Sequence, residues 1–211
     1  MTWVEFATIV KELFVAAAAA ATAVAAWVSL RSWRQELAGR AEFETAREIS
    51  RCTLTLKDRL DQCRNPFFAY SEFPEDYLDT PNRQSAAETA RAYQHIYANR
   101  WKPVRESLIE FESAALEAKV LWGHDASTRT GELRACVSML LAAIQSYLED
   151  LQTNGAEFNP ATAENTRNRT VRLKGQLEDD DDFMSRYIEL ACEGVLELVA
   201  PHITKKKPRA R

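Results

Sequence analysis

Residues 13 to 30, LFVAAAAAATAVAAWVSL, form an uninterrupted run of 18 positions without a charged side chain. As an α-helix such a run is about 27 Å long, close to the minimum that crosses the hydrocarbon core of a bilayer. Half of it is alanine, which is nearly neutral for insertion. The drive therefore rests on Leu13, Phe14, Val15, Val24, Trp27, Val28 and Leu30. Trp3, Phe6, Ile9 and Val10 extend the apolar stretch towards the N-terminus. The run predicts one transmembrane helix over 13–30, preceded by a short extracytoplasmic segment, 1–12.

The flanks give the orientation. Arg31, Arg34 and Arg40 follow the run, whereas the first twelve residues carry Lys11 against Glu5 and Glu12. Positive charge is retained on the cytoplasmic side, so the remainder of the chain is expected there, as in a single-pass inner-membrane protein. Trp27 and Trp33 stand where indole rings sit among inner headgroups. Two other readings stay open. A cleaved signal peptide needs a basic segment ahead of the run, which is missing here. An alanine-rich helix buried in a soluble oligomer is compatible with the high helix propensity of alanine. The alanines at 16 to 21 would also let two spans pack closely, so a homo-oligomer is one expected assembly.

Beyond residue 30 the composition changes. Residues 31–211 hold 26 of the 27 basic and 29 of the 31 acidic side chains, and five of those bases lie in the tail, 205–211: Lys205, Lys206, Lys207, Arg209 and Arg211. Without the tail, residues 31–204 carry a net charge of −8, which repels a phosphate backbone and argues against nucleic-acid binding. Lys205, Lys206 and Lys207, with Arg31 and Arg34, are instead expected to contact the anionic inner leaflet.

Amphipathic helical periodicity accounts for most of the rest. Trp33, Leu37, Ala41, Ile49, Cys52, Leu56, Leu60 and Cys63 predict one helix over 31–65, with a possible kink at Gly39, ended by Pro66. A second helix is expected over 84–122 on Tyr93, Ile96, Tyr97, Val104, Leu108, Phe111, Ala115 and Val120, kinked or broken near Pro103 and closed by Gly123. A third is expected over 127–153, stopped by Asn154 and Gly155. A fourth should begin in the acidic run Asp179, Asp180, Asp181, Asp182 and end at Pro201. Nothing alternates as a strand does. The expected fold is all-α: a single N-terminal transmembrane helix followed by an antiparallel helical bundle of about four helices over 31–204.

Chemistry-bearing patterns are absent. Cys52, Cys63, Cys136 and Cys192 form no C-x-x-C pair and read as small core residues of a reducing compartment. His95, His124 and His202 are scattered, as are the six glycines, so no zinc motif, P-loop or dinucleotide fingerprint can be assembled. G-x-S-x-G is missing as well. Consecutive aspartates suit a helix N-terminus better than a metal site. No cofactor and no enzymatic activity are expected.

Residues 66–83, PFFAYSEFPEDYLDTPNR, show no helical period and read as an ordered loop. Phe67, Phe68, Tyr70, Phe73 and Tyr77 within it are the candidate partner-binding residues, because aromatic anchors dominate binding hot spots. The competing role is to fold back and cap the end of the bundle, with the prolines limiting the loop's freedom.

Leu37, Gly39, Glu42, Phe43, Glu44, Ala46 and Arg47, then Arg64, Asn65, Pro66 and Phe67, and later Leu121, Trp122 and Gly123, give the chain a pattern that resembles a group of bacterial proteins with one N-terminal span and a helical cytoplasmic domain. The resemblance covers most of the chain and implies an inner-membrane setting, with no activity attached. Together these readings predict a membrane-anchored helical scaffold or protein-interaction module. The alternative is a membrane-active effector, of toxin or defence type, whose spans oligomerise.

Overall fold

The computed structural model describes residues 3–78, 85–153 and 183–204; of residues 3–13 only the Lys11 side chain is described. Among the described residues every regular element is helical and no strand occurs. The elements are α1 (Trp3–Cys63), a 3-10 turn (Tyr70–Glu72), α2 (Glu75–Leu78), α3 (Ala86–Trp122), α4 (His124–Thr153) and α5 (Phe183–Thr204). The chain separates into two compact units, residues 1–44 and 45–211, with α1 running through the boundary.

The first unit is helix alone. Every described side chain from Phe14 to Ala41 is exposed, including Phe14 at 74% and Trp27 at 70%. One 18-residue window here, of mean hydropathy 1.6, is long and apolar enough to cross a membrane, and none of it is buried. Thr22 donates its hydroxyl to the Ala18 carbonyl at 2.9 Å, and Arg40 pairs with Glu36 at 2.8 Å, both one helical turn apart. Trp33 and Leu37 had been placed by their spacing on the buried stripe of a helix; both are exposed, and burial begins only at Thr45. Gly39 lies within unbroken helix.

The second unit is built on four helical stripes that share one core. Along α1 the buried positions are Ala46, Ile49, Thr53, Leu56, Leu60 and Cys63; along α4 they are Ala126, Thr130, Leu133, Val137, Leu140 and Ile144. Intervals of three and four alternate in both, which is how an α-helix keeps one narrow face turned to its neighbours. On α5 the same alternation runs through Met184, Ile188, Ala191 and Val195. The two buried threonines are satisfied locally: Thr53 and Thr130 each donate to the carbonyl four residues back, Ile49 and Ala126, at 2.7 Å. All four cysteines are buried and free, as expected from their spacing. Burial pushes the Cys52, Cys63 and Cys136 thiols up to about 11, and that of Cys192 to about 12, so they stay protonated and unreactive at neutral pH.

Helix ends follow local chemistry. Ser85 caps α3 through a reciprocal box in which its Oγ accepts from the Glu88 amide at 3.3 Å and its own amide donates to the Glu88 carboxylate at 2.7 Å. Gly123 joins α3 to α4 at φ 70° and ψ −135°, a conformation that L side chains avoid, and its amide donates to the Lys119 carbonyl at 2.9 Å.

The structure corrects several expectations. The loop after α1 contains the 3-10 turn and α2 rather than no helix at all. Pro103 lies inside an unbroken α3, because Ile96 and Tyr97 before it and Val104, Ser107 and Phe111 after it are buried and hold both sides of the lost hydrogen bond. Pro201 does not end α5. The helix continues to Thr204, and the His202 ring stacks on Trp122 with centroids 4.5 Å apart, holding the extra turn. Val120 is 85% exposed, and Ala118 occupies the core position near it. Phe183, the first residue of α5, is exposed. The acidic run 179–182, Asn154, Gly155 and the basic tail lie outside the described residues, as does the side chain of Leu13.

Candidate functional site

The segment after α1 is shaped first by local geometry. Asn65 precedes Pro66 and accepts the Phe67 amide on its Oδ1 at 3.0 Å, an Asx turn that redirects the chain as the helix stops. Glu72, at the end of the 3-10 turn, accepts the Ala69 amide at 2.8 Å. Two short-range bonds thus shape residues 65–72 from within the segment.

Arg100, on α3, then fixes this segment. Its Nε and Nη2 donate to the two oxygens of Glu72 at 2.5 and 2.9 Å. Nη2 also donates to the Phe67 carbonyl at 2.7 Å, and Nη1 to the carbonyls of Asn65 at 2.6 Å and Cys63 at 3.5 Å. All five guanidinium N–H groups therefore have an acceptor. The flat face of the same cation lies 4.5 Å from the centre of the Phe68 ring. Two of the carbonyls stand at or just past the C-terminus of α1, where the unsatisfied acceptors and the negative end of the helix favour a cation. The arginine holds the Glu72 carboxyl below the usual carboxylate range, chiefly through their hydrogen bonds, against a smaller opposing effect of burial.

The aromatic residues of the loop divide into two sets. Phe68 points into the end of the core, edge-on to Tyr93 at 5.3 Å and Tyr97 at 6.1 Å, and both tyrosines meet Tyr147 of α4 at about 6 Å. Phe73 packs on Phe68 and Tyr93 and stacks with Tyr77, their centroids 5.5 Å apart. These three cap the core. Phe67 and Tyr70, by contrast, are 53% and 73% exposed. Of the five residues singled out as partner-binding, only these two are classed as exposed; Phe68 and Phe73 pack on the tyrosines of α3, and Tyr77 stacks on Phe73.

Arg64 is a second anchor that sequence reasoning passed over. It is fully buried and donates from Nη1 to the Ser185 hydroxyl at 2.6 Å, tying the end of α1 to the start of α5. An arginine at a helix C-terminus directly before Asn-Pro was the available signal. Arg100 had none, since it occupies a polar position of a long amphipathic helix.

Of the expected membrane-contacting residues, Phe14, Val15, Val24, Trp27, Val28, Leu30, Arg31, Trp33 and Arg34 are all exposed on α1. Lys205, Lys206 and Lys207 lie outside the described residues. Among the described residues no group of three or more His, Cys, Asp or Glu side chains converges as metal ligands would. Compared with family models, with curated proteins and with solved structures, the chain finds no match.

Proposed function

We propose that this chain is a membrane-anchored scaffold or interaction module without enzymatic activity. Its first helix spans the bilayer, and its second unit is an antiparallel four-helix bundle on the cytoplasmic side. The observation that carries the reading is the uncovered state of α1 from Phe14 to Ala41. Its large apolar side chains, such as Phe14 and Trp27, would each cost about 1.5–3 kcal/mol to leave in water rather than in an apolar medium. A bilayer removes that cost for the whole run at once. Arg31, Arg34 and Arg40 support the cytoplasmic placement. The three-four alternation of buried positions supports a left-handed bundle.

Within this reading the Arg100-clamped loop is the part that meets a protein partner. Phe67 and Tyr70 are held on a backbone already ordered by Glu72 and Arg100, so a partner would pay little to fix them.

Fractionation of cells expressing the full chain tests the anchor. The protein is expected in the membrane pellet and should resist carbonate extraction, and substitution of Ala18 and Ala21 by arginine should move it to the soluble fraction. Recovery of the unsubstituted full-length chain in the soluble fraction overturns the reading. The effector alternative predicts a different result, growth arrest on expression that disappears with the same two substitutions.

A further inference from the structure

We propose that α3 pairs with α3 of a second copy of this chain, antiparallel and centred on Leu116, so that Glu112 of each copy meets Lys119 of the other. This pairing involves the second unit alone and does not depend on the first helix spanning a bilayer.

Helical spacing sets the face. Ile109, Leu116 and Val120 follow one another at intervals of seven and four, which keeps them on one narrow stripe of α3. They are 62%, 65% and 85% exposed, turned away from the buried Val104, Phe111 and Ala118. Beside Leu116, α3 and α4 leave a groove of about 210 Å³ walled by Ala115, Lys119, Thr130 and Arg134. An aliphatic side chain entering from outside has room there.

Charge identifies the occupant. Glu112 stands four residues before Leu116 and Lys119 three after it, and both line the groove, on the same edge of the stripe. They lie about 10 Å apart along the helix. Among the described residues neither of them, nor Arg134, has an ion-pair partner. A polyanionic surface would meet Glu112, and a polycationic one would meet Lys119 and Arg134. A partner that satisfies both charges carries an acid and a base in the reverse order, which a second copy presents when turned end for end. A two-fold axis through Leu116 sets position 112 opposite position 120, one step from Lys119, and does so twice. It also sets Ile109 opposite Gly123, where an added Cβ would meet nothing within 4 Å. The other acids of this stretch, Glu106, Glu110 and Glu117, fall on the next face of the helix, where Glu110 is bound to Arg51, so like charges are kept out of the seam.

The test uses the full chain carrying L116C, treated in cells with a short, cell-permeable bismaleimide. The four native cysteines are at most 2% exposed and are spared. A cross-linked dimer is expected. Adding E112K or K119E sets like charges against each other at both contacts and should lower the yield about fivefold or more. The E112K/K119E double variant, and the two single variants expressed together, should restore it. Positions 112, 116 and 119 are all exposed, so the substitutions leave the core untouched. Absence of the dimer overturns the pairing, as does a yield that the single charge reversals leave unchanged, the result expected if copies associate through the alanine-rich run alone. A loss that neither the double variant nor the mixture repairs overturns the antiparallel register. Cross-linking of L116C to a different protein in place of itself overturns the second copy as occupant.

Discussion

The division of labour within five aromatic residues turns on one arginine. Phe68 carries the capping role, with rings of α3 on two sides and a guanidinium across its face. Its replacement by alanine should cost about 3 kcal/mol or more, as other buried phenylalanines do. Phe67, exposed beside it, should cost less than about 1 kcal/mol by the same change, and thermal melting of the two variants compares them directly. If both lose stability equally, the inward and outward assignment is wrong. The Arg100–Glu72 pair adds a pH dependence. Because the folded carboxyl lies below its ordinary value of 4.5, the pair stabilises the fold above about pH 4.5 and loses that contribution as pH falls through the lowered folded value. Urea midpoints measured between pH 3 and 7 should show a steeper acid decline for the native chain than for Glu72→Gln. Parallel curves would remove the pair from any role in stability.

Among the helices, the ends are more sensitive than the interiors. Gly123 has open space around it, so an added Cβ meets no neighbour and the cost of Gly123→Ala is backbone strain alone, about 1–3 kcal/mol. Ser85→Ala should cost about 1 kcal/mol through loss of both arms of the capping box, while Ser138→Ala, at an exposed mid-helix site, should be nearly neutral. Chemical denaturation of the three variants gives the order. The box and the terminal glycine differ in kind, one supplying hydrogen bonds and the other conformational freedom. Prolines behave less simply. Pro103 and Pro201 both lie inside helices although each removes an amide donor, because buried or stacked side chains on the same turns hold the helix through the defect.

For the whole molecule, charge and hydropathy act on different parts. The apolar run lies in the first unit, and the second unit, acidic without its tail, ends in Lys205, Lys206, Lys207, Arg209 and Arg211. If the tail meets the inner leaflet, each base near the surface is worth about 1 kcal/mol, weakened by salt. Residues 31–211 should then bind anionic vesicles at low salt while residues 31–204 bind less, and high salt should abolish the difference. Equal binding by the two would assign the tail to solubility alone.

What the sequence determined by itself was whatever depends on near neighbours along the chain. Helical period, the stop at Asn65 and Pro66, the turn at Gly123 and the uncharged run of 18 residues are all of this kind, because each is fixed by propensity or by bonds within about four residues. Burial of Cys52 and Cys63 followed from the same periodicity. The tertiary structure alone decided which part of one apolar stripe was covered: Trp33 and Leu37 have the spacing of core residues yet stay exposed, whereas Leu56 and Leu60, with the same spacing, are buried. It alone turned Phe68 inward and Phe67 outward, since that depends on Tyr93, Tyr97 and Arg100, some 25 to 33 positions away in the chain. It alone made Arg64 and Arg100 structural centres. A charged side chain carries no local mark of the carbonyls and carboxylates that will surround it, because those acceptors converge only when the helices pack.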